Sequence, residues 1–68
     1  MTFKFKGNNF LAVPPKAFWE KVSENQATVG KLETDEDGDT QIPFLMHGAI
    51  IACITTSKPG TFYGILTN

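Results

Sequence analysis

The chain has 68 residues, a formal net charge of −1 and one cysteine. A core this small is marginal, because a short chain buries a lower fraction of its surface on folding, and a lone cysteine cannot close an internal disulfide. All six basic residues are lysine, which argues against guanidinium readout of DNA, and the near-neutral balance gives no general attraction to nucleic acid or an anionic membrane.

A structural zinc site normally takes four Cys or His ligands, and the chain offers only His47 and Cys53. Of the devices that support small domains, oligomerisation remains, so a homo-oligomer is expected about as readily as a monomer. No apolar run approaches the ~20 residues needed to cross a bilayer. Met1-Thr2-Phe3-Lys4-Phe5 lacks the apolar segment and cleavage site of a secretory leader. The expectation is one domain spanning residues 1–68, no membrane, and a cytoplasmic setting with a reduced thiol.

Thr2 to Lys6 alternates, with Phe3 and Phe5 on one face, which predicts a half-buried strand. Gly7-Asn8-Asn9 tolerate positive φ, and Phe10 to Val13 follow, so a first hairpin is predicted. Pro14-Pro15 ends it, and Pro15 suits the first turn of a helix. Pro15, Phe18, Trp19, Val22 and Gln26 then form one stripe at spacings of three and four, with Lys16, Glu20, Lys21, Ser23 and Glu24 elsewhere. One amphipathic helix of about three turns is predicted, closed by a left-handed Asn25. Trp19, at the flank of the stripe, is expected to remain partly exposed.

Thr28 to Asp35 and Thr40 to Met46 read as the arms of a second hairpin around Glu36-Asp37-Gly38. A two-residue Asp-Gly loop would put Lys31 opposite Phe44 and Glu33 opposite Ile42, mixing charge with the apolar set. A three-residue loop with Gly38 left-handed instead places Leu32 opposite Ile42 and Gly30 opposite Phe44, so the hydrophobic pattern selects it. Pro43 implies a strand edge or a bulge. His47-Gly48 is compatible with a tight turn and with a bend in one long strand.

Gly48 to Thr56 is the centre of the chain. Its apolar residues fill both parities over Ala49-Ile50-Ile51-Ala52-Cys53-Ile54, which predicts a strand covered on both faces. Lys58-Pro59-Gly60-Thr61 carries a type II turn signature. Pairing Lys58 with Thr61 would set Ile54 opposite Ile65 and Thr55 opposite Gly64, with Phe62 and Tyr63 on opposite faces of the last strand.

The sum is an α+β fold with about six short antiparallel strands in the order ββαββββ. One helix of roughly 16 Å cannot cover six strands spaced nearly 5 Å apart. The sheet is therefore expected to curve strongly and partly close into a barrel, or to pack on a second copy.

The most unusual segment is Glu33-Thr34-Asp35-Glu36-Asp37-Gly38-Asp39, which holds five of the seven acidic residues. Aspartates at 35, 37 and 39 alternate as the oxygen ligands of a calcium loop do. Yet the glycine precedes the third aspartate and no glutamate sits at the distal position, so no metal is expected. A solvated hairpin tip that discourages edge aggregation is the plain reading; an acidic contact for a basic partner is the functional one. Cys53 reads as a small buried hydrophobe and His47 as a turn or surface residue, six positions or roughly 20 Å apart along one strand. With no clustered catalytic groups and no cofactor motif, a non-enzymatic protein is expected.

The leading expectation is a small inhibitor or accessory protein, of the compact kind that phages and mobile elements carry. It would bind another protein through Glu33, Asp35, Glu36, Asp37 and Asp39, with Tyr63 and Trp19 as further contacts, or through an apolar sheet face. The alternative is a curved β domain that stacks single-stranded nucleic acid on exposed aromatics. Against it, Lys4 and Lys6 fall on the face opposite Phe3 and Phe5.

Overall fold

The computed structural model describes residues 1–57 and 60–67. It is an α+β fold with strands β1 (Thr2–Phe5), β2 (Asn8–Val13), β3 (Thr28–Val29), β4 (Glu33–Thr34), β5 (Thr40–Met46), β6 (Ala49–Ser57) and β7 (Gly60–Leu66), and helix α1 (Pro15–Glu24) between β2 and β3. The seven strands form one antiparallel sheet in the order β1-β2-β7-β6-β5-β3, with β4 also paired to β5. The sheet does not close into a barrel.

The doubly apolar stretch becomes β6, flanked by β5 and β7, with a core cluster on each face. Cys53 packs with Phe5 and Phe10, joined by Phe3, Ile50 and Leu66. Ala52 packs on the other face with Phe18 and Phe44, joined by Val13, Val22, Ile42, Ile51, Ile54 and Tyr63. A bulge sharpens the division: Phe44 lies opposite Ala52 but Leu45 lies opposite Ile50, so Ile51 is the extra residue. That lets Ile51 join the helix-side cluster while Ile50 joins the other.

Helix α1 covers one face through Phe18, which is fully buried, while Trp19 remains 47% exposed. Pro15 occupies the first turn as expected. The left-handed residue at the other end is Gln26 (φ 51) and not Asn25 (φ −96). Gln26 N–H donates to Ser23 O and Ala27 N–H to Val22 O, closing the last carbonyls, and Val22 and Ala27 join one cluster. Asn25 contributes with its side chain instead, donating from Nδ2 to Lys21 O at 2.8 Å.

Among the described residues no second helix covers the other face; the sheet curls over itself. The Lys6 ammonium at the β1–β2 turn meets Glu33 on β4 at 2.6 Å, although these elements lie at opposite ends of the strand order. Phe5, Phe10 and Cys53 are buried inside that curl. Gly64 makes room for it: a Cβ there would stand 2.7 Å from Phe3 Cε1 and 2.8 Å from Phe10 Cβ.

Several expectations need correction. Lys6 belongs to a two-residue turn with Gly7 (φ 52 and 78), and Asn8 and Asn9 are already in β2. Of the two readings open for His47-Gly48, the chain takes the tight turn, again with two left-handed residues (φ 53 and 80), closing Met46 on Ala49. The expected turn at Lys58-Pro59-Gly60-Thr61 includes Lys58 and Pro59, which lie outside the described residues. Beyond it Ile54 faces Tyr63 and Thr55 faces Phe62, two residues from the expected register. A two-residue difference preserves the faces, so Phe62 and Tyr63 still point apart. It also brings Gly64 opposite Cys53, while on its other side Gly64 pairs with Ala12 of β2 and lies beneath the Phe3 ring.

The arm expected over Thr28 to Asp35 is split into β3 and β4. Glu33 opposite Gln41 and Thr34 opposite Thr40 keep the expected register, whereas Val29 opposite Phe44 and Thr28 opposite Leu45 are displaced by one. Gly30 N–H donates to Pro43 O at 2.7 Å. A strand residue presents its N–H and C=O to the same neighbour, so the N–H that Pro43 lacks is missing toward Gly30–Leu32. The ladder breaks there, and Leu32, expected to face Ile42, is 56% exposed.

Candidate functional site

The acidic segment forms a structured hairpin tip. The β4–β5 loop has the three residues Glu36, Asp37 and Gly38, with Gly38 left-handed at φ 85. Gly38 N–H donates to Asp35 O at 3.1 Å, and Asp35 N–H to Asp39 O at 2.9 Å. Inside this frame the Asp35 carboxylate is the organiser. Its Oδ1 accepts from the N–H groups of Asp37 (3.0 Å) and Asp39 (2.9 Å), and its Oδ2 accepts from Gln41 Nε2 (3.0 Å). The Gln41 amide chiefly, then the backbone N–H groups of Asp39, Asp37 and Gly38, hold its carboxyl below the ordinary 3.8, with desolvation opposing them.

The carboxylates of Asp35, Asp37 and Asp39 lie within 4.8 Å of one another. Asp35 is engaged on both oxygens, while Glu36 and Asp37 are exposed to solvent. Glu33 does not join the tip: its carboxylate is held by Lys6 on the curled hairpin. That pair is half-exposed, of a kind worth about 0–1 kcal/mol.

Trp19 and Tyr63 lie together elsewhere, on the helix side of the sheet. Their ring centroids are 6.3 Å apart, and both meet Phe18 edge-on, at 4.9 and 5.3 Å. Trp19 also packs edge-on against Phe44 at 5.7 Å. Tyr63 is therefore a partly buried ring packed on the core, and Trp19 is an anchor that stays about half exposed. Beside Trp19 a shallow open depression is lined by Lys16, Glu20, Ser23 and Glu24. Every one of these residues comes from α1, and among the described residues no second element brings a group to it. Phe5, Phe10, Phe18 and Phe44 are core residues, which leaves few rings for stacking bases.

His47 sits in an exposed turn, and Cys53 is fully buried four residues into β6, about 13 Å along the strand. Burial pushes the Cys53 thiol up to about 11, so it holds little thiolate near neutrality. The two do not form a nucleophile–base pair.

The residue that sequence reasoning missed is Gln41, only 3% exposed on the inner face of β5. The sequence carries no signal for it: Gln41 has the parity opposite to Ile42 and Phe44, which alternation assigns to solvent, and it is buried with Cys53 because the sheet curls over that face. No helix among the described residues is long and apolar enough to cross a membrane. No protein-family model, curated protein or solved structure was found to match the chain.

Proposed function

We propose that the protein is a binding module that presents its acidic hairpin tip to a basic surface of another protein. The observation that carries this reading is the ordered tip: Asp35 gathers the loop backbone, and Glu36, Asp37 and Asp39 stand on that ordered backbone. Charge on an ordered backbone loses less conformational entropy on docking than charge on a mobile loop. Such an array acts mainly on encounter rate and orientation, and its effect weakens with salt.

The test leaves Asp35 intact, because it holds the turn, and replaces Glu36→Gln, Asp37→Asn and Asp39→Asn together. Binding of a fluorescein-labelled lysine- and arginine-rich peptide is followed by anisotropy at low and physiological salt. The triple variant should lose salt-sensitive binding while its thermal midpoint holds. A control with Glu20→Gln and Glu24→Gln, on the helix, should bind as the parent does. Equal binding by parent, triple variant and control would reduce the tip to a solvated turn.

A further inference from the structure

The acidic tip is continuous with the core through one side chain. Gln41 lies on β5 opposite Thr55 of β6, and both are buried. Its Nε2 donates outward to Asp35 Oδ2 at 3.0 Å. Its Oε1 accepts inward from Cys53 Sγ at 3.5 Å. We infer that Gln41 is the positioning residue of the acidic tip: its buried carboxamide, held between Cys53 and Asp35, fixes the carboxylate that gathers the loop.

The chemistry is directional. An ionised carboxylate only accepts hydrogen bonds, so Asp35 must be met by the NH₂ end of the amide. The carbonyl end then faces the interior, where a buried acceptor without a donor is costly. Cys53 supplies that donor, and it can do so because burial keeps the thiol protonated. The thiol has one proton and a second acceptor, Ile54 O at 3.7 Å, the longer of the two contacts. A leucine at position 41 would suit the interior as well and would leave Asp35 Oδ2 without its amide. A glutamate there would set a second carboxylate against the first.

Among the described residues, Asp37 and Asp39 on the same loop bring carboxylate oxygens within 4.8 Å of Asp35, and Glu36 follows it directly in the chain. The loop carboxylates repel Asp35, so the amide and the backbone N–H groups must hold it against them. This inference rests on the binding role proposed for the tip only in what the positioning is for; the positioning itself is measured separately.

The experiment follows the Asp35 carboxyl by NMR titration, and the hydrogen exchange of the Asp37 and Asp39 amides, in Gln41→Leu, Cys53→Ala and Cys53→Ser. Gln41→Leu should move the Asp35 midpoint up toward the ordinary aspartate value and speed exchange at both amides. Cys53→Ala should move it the same way by less, and Cys53→Ser, which keeps a donor, should restore it. An unmoved Asp35 midpoint in a folded Gln41→Leu protein overturns the inference, since the backbone turn alone then holds the carboxylate. Should Gln41→Leu fail to fold, the serine and alanine variants at 53 decide: identical midpoints overturn the inference, and a rise in alanine alone supports it. The labelled basic peptide is titrated into the same samples. If Asp35 shifts and peptide affinity does not, Gln41 still positions the tip and the binding role is what fails.

Discussion

Gly64→Ala tests how the curl is built. In the β7 ladder Gly64 lies opposite Ala12 on one side and Cys53 on the other, with the Phe3 ring across it. An added Cβ would meet Phe3 Cε1 at 2.7 Å and Phe10 Cβ at 2.8 Å, well inside ordinary van der Waals contact. Phe10 is fully buried and stacks on Phe3 at 5.5 Å between centroids, so it cannot step aside alone. Overpacking of this kind costs ~1–3 kcal/mol, set against a gain of roughly 0.5–1 kcal/mol from replacing a strand glycine. Because the fully buried Phe10 cannot give way, the upper part of the overpacking range applies, roughly 2–3 kcal/mol, and the net expectation is a loss of about 1–2.5 kcal/mol, from a total that for 68 residues is about 3–10 kcal/mol. In a domain this size the thermal midpoint should fall by roughly 4–20 °C, read by circular dichroism or calorimetry. Phe3→Leu removes part of the clash. The double variant should therefore cost less than the sum of the single ones, because contacting residues are not additive. A neutral or stabilising Gly64→Ala, or strict additivity with Phe3→Leu, would refute the close approach and with it this account of the curl.

His47→Asn should stabilise the protein by up to about 1 kcal/mol, since His47 holds φ 53 and asparagine tolerates that region better; an unchanged urea midpoint would count against it. The folded-state lowering of Asp35 means it favours folding above its unfolded value of 3.8, and that contribution is lost as pH falls through the lower folded value. Asp35→Asn should accordingly flatten the stability profile below about pH 4, and an identical acid limb in chemical denaturation would contradict the bonding described. Cys53, buried with its thiol near 11, should react with a thiol reagent at pH 8 only through opening of the sheet. Its labelling should then speed up with denaturant in step with unfolding, and rapid labelling of the native protein would show the thiol to be accessible.

Much of the architecture was legible because local chemistry and burial pointed the same way. The three-residue Glu36-Asp37-Gly38 loop followed from keeping Lys31 and Glu33 off the apolar face, and β4 holds that register. The doubly covered β6 followed from apolar residues at both parities. The misses came from effects that no single segment contains. Pro43 marked a break, but which neighbour loses the hydrogen bond depends on the side to which its carbonyl points. The β6–β7 register differs by two residues from the one implied by the turn signature, and side-chain alternation cannot separate the two, because both keep the same faces. Lys6 and His47 in left-handed turns run against their own preference, so only the pairing of the flanking strands places them there. The acidic segment was visible as composition, but its division into a free array and a Glu33–Lys6 tie across the curl was not.

That division bears on what the tip is for. A hairpin tip that serves solubility needs charge and exposure, and a mobile loop supplies both. It has no need of a carboxylate bonded on both oxygens, nor of a buried glutamine that would pack more cheaply as an apolar residue. Placing Asp37 and Asp39 within 4.8 Å of Asp35 also concentrates repulsion that a solubility device would spread out. The strand edge beside the tip already carries its own protection, since Pro43 breaks the ladder and leaves β3 and β4 two residues each. Edge protection therefore does not account for the Asp35 network. An ordered tip is what docking uses, because orientation held before contact does not have to be acquired during it. The contrast is measurable: the Glu36, Asp37 and Asp39 substitutions should change binding and not solubility, whereas a solubility device would show the reverse.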